Sequence, residues 1–322
     1  MNPGVSAPPA RDIDLRTELA GLELEHPVLN GSGTFDALAA LRTFGDSLRE
    51  AFPFSAFVSK TITLAARGGN RPPRLWESPA GLINSIGLPN KGLDGFLEHD
   101  LPVLAALPVP LIVSVAGFSL DEFATLVGTV ASRPEVAALE LNVSCPNVKS
   151  GCVVGSEAGE MAALMRRVRP MTGKPLIVKL TPNVSDVAPV ARAAEEGGAD
   201  ALSLINTLRA AAVDPVSGAP WLGAGTGGLS GPAVRPVALA MTAEVAAATE
   251  LPLIGMGGIQ DGASALEFIA QGASLVAVGT ESFRDPMAGA RVRDELAHEL
   301  QHRSLRSLHE ALAASRGAGR PS

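Results

Sequence analysis

The stretch Ala137-Ala138-Leu139-Glu140-Leu141-Asn142-Val143-Ser144-Cys145-Pro146-Asn147-Val148-Lys149 begins as an apolar run of strand length and breaks at Pro146 into a polar loop. A buried strand that delivers two amides and a thiol to its C-terminal end has the character of an active-site edge. Two flat amides can grip a flat polar ring, and a thiol between them can move a proton on or off it. The other reading of Cys145 is a buried structural cysteine, and the rest of the chain has to decide between the two.

Working outward, comparable apolar runs recur at Pro27–Leu29, Ala56–Lys60, Leu111–Val115, Leu176–Leu180, Ala201–Ile205, Leu253–Met256 and Ser274–Val278. With the opening stretch that makes eight. Their apolarity is continuous rather than alternating, which fits parallel strands covered on both faces. Between them lie Leu120–Ala131, Glu157–Arg169, Val184–Glu196, Ala233–Thr249 and Ala263–Ala270, with helical spacing. Asp261 is placed to cap the last of these at its start and Gly272 at its end. Eight β/α alternations in one chain predict a (β/α)8 TIM barrel. No linker divides it, so residues 1–322 read as one domain, with loose tails at 1–12 and about 314–322. Residues 61–100 exceed one helix and read as an insertion of loops or a small hairpin after the second strand.

Composition narrows the function. A net charge of −7 argues against a general nucleic-acid binder. No apolar run reaches the roughly 18 residues of a spanning helix, and Met1–Ala10 lacks the apolar core of a signal peptide. A soluble, cytoplasmic protein is expected. The two cysteines, Cys145 and Cys152, are too few for an iron–sulfur cluster, which takes four ligands. His298 and His302 stand four apart on a helical stretch and read as an exposed face rather than a metal pair, so no metal is expected.

In a barrel the active site lies where strands end. Here the strand ends bring Asn30-Gly31-Ser32-Gly33, Lys60-Thr61, Asn142 with Cys145, Lys179, Asn206-Thr207, Gly257-Gly258 and Gly279-Thr280 to one rim. The last two pairs each precede a helix and can offer backbone N–H groups to a phosphate, a common use of the seventh and eighth strand ends. Gly228-Leu229-Ser230-Gly231-Pro232 is read as a further donor loop. The run Gly223-Ala224-Gly225-Thr226-Gly227-Gly228 has the G-x-G-x-x-G spacing. It follows Pro220-Trp221 rather than a strand and opens no helix, so a dinucleotide site of that kind is rejected. A phosphate-anchored group here could be flavin mononucleotide (FMN), pyridoxal phosphate or a phosphorylated substrate. Lys60 and Lys179 suit either the pyrimidine edge of a flavin or a Schiff base.

Resemblance separates these. Asn142-Val-Ser-Cys-Pro-Asn-Val-Lys149 resembles the catalytic segment of the class 1 dihydroorotate dehydrogenases, flavin enzymes of pyrimidine synthesis. So do Lys60-Thr61-Ile62-Thr63 with Gly69-Asn70-Arg71-Pro72-Pro73-Arg74, the loop Asn84-Ser85-Ile86-Gly87-Leu88-Pro89-Asn90, and Ile205-Asn206-Thr207. Gly228–Pro232, Gly257-Gly258 and Gly279-Thr280 follow in the same order, and the likeness spans Asp14 to Pro286.

The resemblance implies oxidation of (S)-dihydroorotate to orotate, with hydride passing to FMN and Cys145 as general base. Ser32, Lys60, Thr61, Asn142, Lys179, Ile205, Gly231, Gly257, Gly258, Gly279 and Thr280 would hold FMN. Lys60, Asn84, Asn142, Asn147, Asn206 and Thr207 would hold the substrate, covered by the loop Asn84-Ser85-Ile86-Gly87-Leu88. Cysteine at 145 sets the chain apart from the membrane-linked class 2 enzymes. The sequence after Cys145-Pro146 resembles class 1B, whose partner subunit carries FAD and a [2Fe–2S] cluster and passes electrons to NAD. A homodimer or a heterotetramer with that partner would follow. The fumarate-reducing class 1A, a dihydropyrimidine dehydrogenase-like flavoprotein and a non-catalytic barrel scaffold are the competing readings. Two departures stand out. Ser114 occupies a position where the family usually has an asparagine near the flavin, and Gly151–Gly155 lacks the usual Gly-Gly pattern. Cys152 is expected to be structural.

Overall fold

A computed structural model of the chain describes residues 13–144 and 154–317. Its centre is a parallel sheet of eight strands: β1 (Val28–Asn30), β2 (Phe57–Val58), β3 (Leu111–Val115), β4 (Val136–Asn142), β5 (Leu176–Lys179), β6 (Ala201–Leu204), β7 (Leu253–Met256) and β8 (Leu275–Val278). Consecutive strands pair in parallel from β2 through to β8, and β8 pairs with β1. All eight expected strands form, each within a few residues of its apolar run. Between them run α1 (Ala37–Phe44), α2 (a helical stretch over 92–104 that includes one π-turn, Phe96–Asp100), α3 (Leu120–Ala131), α4 (Ala158–Val168), α5 (Ala188–Glu196), α6 (Arg235–Ala248), α7 (Gly262–Ala270) and α8 (Ala288–His302). The architecture is the (β/α)8 barrel.

The ring closes between β1 and β2 by a side chain. Asn30 Nδ2 donates to the Val58 carbonyl and Asn30 Oδ1 accepts from the Val58 N–H, both at 2.8 Å. The amide thus stands in for a peptide group, with one backbone bond, Ser55 N–H to Val28 O at 3.1 Å, beside it.

Alternation along the strands builds two cores. Outward-facing Leu111, Val113, Leu139, Leu141, Val178 and Leu202 pack on the helices. Inward-facing Leu29, Val58, Ile112, Ala138, Ile177, Ala201 and Ile254 fill the lower barrel, which Leu19 and Leu24 of the hairpin Thr17–Leu19/Leu22–Leu24 close from below. Further along, the same inward face turns polar: Ser114 follows Ile112, Glu140 and then Asn142 follow Ala138, Lys179 follows Ile177, and Ser203 follows Ala201. All five are buried. The barrel therefore has an apolar floor and a polar upper storey.

Asp261 caps α7 as expected. Its carboxylate accepts from Ser264 N–H at 2.8 Å, and Ser264 Oγ in turn accepts from the Asp261 N–H. At the other end Gln271 is the capping residue and Gly272 follows it at φ +101°. The insertion after β2 contains the expected hairpin, Leu75–Ser78/Gly81–Asn84. It is one half of a four-stranded antiparallel sheet completed by Gly227–Ser230 and Leu208–Ala210 from the segment after β6. The Gly228–Pro232 stretch is thus mostly strand rather than a donor loop, because Gly227–Ser230 spends its backbone groups on two neighbours. Trp76 and Trp221 meet edge to face across this sheet, ring centroids 4.9 Å apart.

Candidate active site

A cavity of about 700 Å³ opens at the C-terminal rim of the barrel, beneath the four-stranded sheet. Such a volume suits a ligand of cofactor size. Every strand of the barrel but β3 contributes to its wall directly or through the loop that follows it.

The strand-end residues meet there. Ser32, Lys60, Thr61, Asn142, Lys179, Ile205, Asn206, Thr207, Gly231, Gly257, Gly258, Gly279 and Thr280 all line it, as do Asn84, Ile86, Gly87 and Leu88 from the insertion. Ser85 does not. It is buried, and its hydroxyl accepts from Asn70 Nδ2 at 3.0 Å, so it shapes the loop rather than the wall. Cys145, Asn147 and Cys152 lie outside the described residues. Ser114 is fully buried behind Thr61, Oγ to Oγ1 2.9 Å, and does not reach the cavity.

The polar wall is a connected set. Asn142 Nδ2 donates to Thr61 Oγ1 at 3.2 Å, and Asn142 Oδ1 accepts from Ser144 Oγ at 2.6 Å and Asn206 Nδ2 at 3.3 Å. Asn206 Nδ2 also donates to Ser144 Oγ, while its Oδ1 accepts from the Thr207 N–H at 2.8 Å. Asn84 Nδ2 donates to Gly228 O at 3.2 Å, tying the covering hairpin to the neighbouring strand. Gly228 is obligatory there, since a Cβ would stand 1.9 Å from Thr207 Oγ1.

Two lysines enter from different strands. Lys179, at the end of β5 and beside Asn142 in the ladder, is only 6% exposed, and no described residue accepts a hydrogen bond from its amine or pairs with it. Lys60 projects into the open cavity. The protein around it nonetheless lowers the pKa of its amine by desolvation, against a smaller opposing pull from the Asp36 carboxylate. Neither lysine has an ion-pair partner among the described residues, an arrangement that favours an anionic or electron-rich ligand.

At the opposite end of the cavity, Gly257 (φ +127°) and Gly258 (φ +83°) turn the chain after β7 in a region closed to most side chains. A Cβ on Gly258 would come 2.9 Å from the Gly231 carbonyl. The N–H groups of Gly258, Gly279 and Thr280 donate to no described group. They form a set of orphan donors of the kind that binds phosphate. Arg291 of α8 ties these loops from behind. It donates to the Gln260 carbonyl at 2.8 Å, to Glu281 at 3.1 Å and to Asp285 at 3.1 Å.

Sequence reasoning missed the apolar part of the wall: Leu75, Leu82 and Leu229 from the covering sheet, Met256, Ala277 and Phe283. Alternation in the hairpin was the available signal for Leu82. It also missed Ser144, although that residue sits inside the opening stretch between two residues it did select.

No group of three or more histidine, cysteine, aspartate or glutamate side chains among the described residues is placed to hold a metal. His298 and His302 lie exposed on α8. Among the described residues no helix is long and apolar enough to cross a membrane.

Comparison with known proteins agrees with this geometry. The family model for dihydroorotate dehydrogenase matches residues 14–300. A relative from Desulforudis audaxviator, named dihydroorotate dehydrogenase B (NAD(+)), catalytic subunit, is 47% identical over 305 residues, covering 94% of this chain and 97% of its own. Proteins of the same name from Pelobacter propionicus and Citrifermentans bemidjiense are 45% and 44% identical, each over 94% of this chain and 98% of theirs.

Proposed function

The chain belongs to the dihydroorotate dehydrogenase family, and on that footing we propose that it is the FMN-bearing catalytic subunit of an NAD-linked enzyme oxidising (S)-dihydroorotate to orotate in pyrimidine synthesis. The observation that carries this reading is the pairing, in one cavity, of two lysines without carboxylate partners and a far wall of unsatisfied backbone N–H groups.

The donor set fits FMN. The orphan N–H groups after β7 and β8 suit its phosphate, and the Lys179 amine suits the ring edge that becomes electron-rich on reduction. The apolar wall formed by Leu82, Leu229 and Met256 suits a flat aromatic body. When bound, FMN supplies the two-electron acceptor that takes hydride from C6 of the substrate.

The protein's own residues do the rest. Asn142, Asn206 and Thr207 present a planar set of donors and acceptors to the amide edges of the pyrimidine ring. Lys60 offers a cation to the dihydroorotate carboxylate, and Asn84–Leu88 covers it and excludes water. The proton on C5 passes to Cys145, whose thiolate is a usable base near or above neutrality because the ordinary thiol pKa is about 8.5. A cation nearby favours that thiolate. With two cysteines in 322 residues, the chain needs a partner subunit to carry the FAD and [2Fe–2S] cluster that pass electrons to NAD.

The test is anaerobic addition of dihydroorotate to the purified chain, following the flavin band. Bleaching is expected. Yellow protein that does not bleach would overturn the substrate, and protein that takes up no FMN would overturn the cofactor.

A further inference from the structure

One buried charge has no place in the chemistry above. Glu140 lies inside the upper barrel at 2% exposure, with no lysine or arginine paired to it among the described residues. A carboxylate so placed is costly unless its oxygens are satisfied. Two hydroxyls satisfy it: Ser114 Oγ donates to Oε1 and Ser203 Oγ to Oε2, each at 3.1 Å.

Counting protons from that carboxylate outward fixes a direction. A carboxylate only accepts, so the single proton of Ser114 goes to Glu140. Ser114 Oγ lies 2.9 Å from Thr61 Oγ1, and with its own proton spent it can only receive there. Thr61 Oγ1 also lies 3.1 Å from Ser32 Oγ, which can give its own proton to Thr61 or to the Ser59 carbonyl, so the shorter contact takes the Thr61 proton. Thr61 Oγ1 is then left with lone pairs only. The Asn142 side chain 3.2 Å away has to meet it with its NH2 rather than its carbonyl. From the other side the Thr207 N–H fixes Asn206, whose NH2 faces Asn142 Oδ1 at 3.3 Å. Both ends demand the same sense of the Asn142 amide. One N–H of Asn142 Nδ2 goes to Thr61, and the other has no described partner on a residue that lines the cavity.

We propose that Glu140 is a positioning residue. Acting through Ser114 and Thr61, it sets the donor direction of the cavity wall and holds a free N–H of Asn142 ready for the bound ring. This rests on the FMN reading given above, and deepens it by naming what orients the wall. It also accounts for Ser114. A hydroxyl passes on one proton and receives one, so it forms a directional link between Glu140 and Thr61.

The experiment measures FMN dissociation constants on the flavin-free protein by quenching of flavin fluorescence, with a melting curve for each variant. Ser114→Ala cuts the link to Thr61. Ser203→Ala removes an equivalent bond from Glu140, one whose serine has no further described side-chain bond toward the cavity wall. Glu140→Gln lets the direction reverse, because its NH2 can donate to Ser114. Ser114→Ala and Glu140→Gln are each expected to weaken FMN binding roughly three- to ten-fold, the scale of one ordinary hydrogen bond. The double variant should be no weaker than Ser114→Ala alone, because among the described residues Glu140 reaches the cavity only through Ser114. Ser203→Ala should melt lower yet bind FMN as the wild type does. Equal losses for Ser203→Ala and Ser114→Ala, or losses that multiply in the double variant, would overturn the relay. Should Glu140→Gln fail to fold, the contrast between the two alanine variants still decides. Wild-type protein that binds no FMN would instead overturn the functional reading.

Discussion

Lys179→Met is expected to make the flavin-free protein more stable and the flavin-bound protein less so. In the absence of ligand Lys179 is 6% exposed as a residue, its side chain lines the cavity, and no described residue accepts a hydrogen bond from its amine. Methionine keeps most of the volume and drops the charge. Removing a cation that no described residue pairs is expected to stabilise by up to about 1 kcal/mol, or roughly 2 °C in melting temperature for a chain of this size. FMN binding changes the sign. A charge-assisted hydrogen bond to the electron-rich ring contributes about 1.5–3 kcal/mol, so its loss weakens FMN roughly 10- to 150-fold. At an FMN concentration about 100 times the wild-type Kd, the wild type gains about 2.7 kcal/mol and a variant binding 30-fold more weakly gains about 0.9. The order of the two melting curves therefore inverts between flavin-free and flavin-saturated samples. Differential scanning calorimetry at several FMN concentrations reads both ends. A variant that melts below wild type without flavin, and gains as much from flavin as the wild type does, would refute the reasoning.

Three further predictions concern other parts of the molecule. His26 is buried, and its pKa is pushed down to about 4, first by desolvation and then by the Arg293 charge. Its Nδ1 accepts from the Val28 N–H at 3.3 Å, which a protonated ring nitrogen cannot do. Because the folded pKa lies below the unfolded value of about 6.5, stability is full above that value and falls as pH drops toward 4. This amounts to about 2 kcal/mol between pH 7.5 and 5, which urea titrations of wild type against His26→Gln should resolve as a smaller pH effect in the variant. Gly228→Ala drives a methyl group into Thr207 and should raise the KM for dihydroorotate roughly tenfold or more, measured by steady-state kinetics with added FMN. Cys145→Ala should retain FMN and lose most turnover at neutral pH, and unchanged turnover would remove Cys145 as the base.

The barrel was readable because its strands are buried on both faces, so each appears as an uninterrupted apolar run. The cavity wall was readable for a related reason: strand ends in a parallel barrel all reach one rim, and small or polar residues there have few structural uses. Gly227–Ser230 was not readable as a strand. It is short, has two glycines and no alternation, and owes its conformation to neighbours that precede it by about 20 and about 145 residues. The helical stretch 92–104 was lost inside a longer insertion, since nothing before Lys91 marks its start. The polar upper storey went unnoticed because Ser114, Glu140 and Ser203 each sit singly within apolar strands. Only the register, which aligns Ser114 with Glu140 across the ladder, brings them together.

The side-chain clasp between β1 and β2 divides the ring unequally. Seven of its eight joints are ladders of peptide groups, and the eighth depends chiefly on Asn30. A hoop with one such joint does not loosen evenly but gives at the joint. The two strands flanking it lead directly into Ser32 and Lys60, whereas Lys179 and the glycine loops stand on joints that are fully laced. Whatever compliance the cavity has is thereby lodged on the Lys60 side, and the wall around Lys179 and the glycine loops is the side that does not yield.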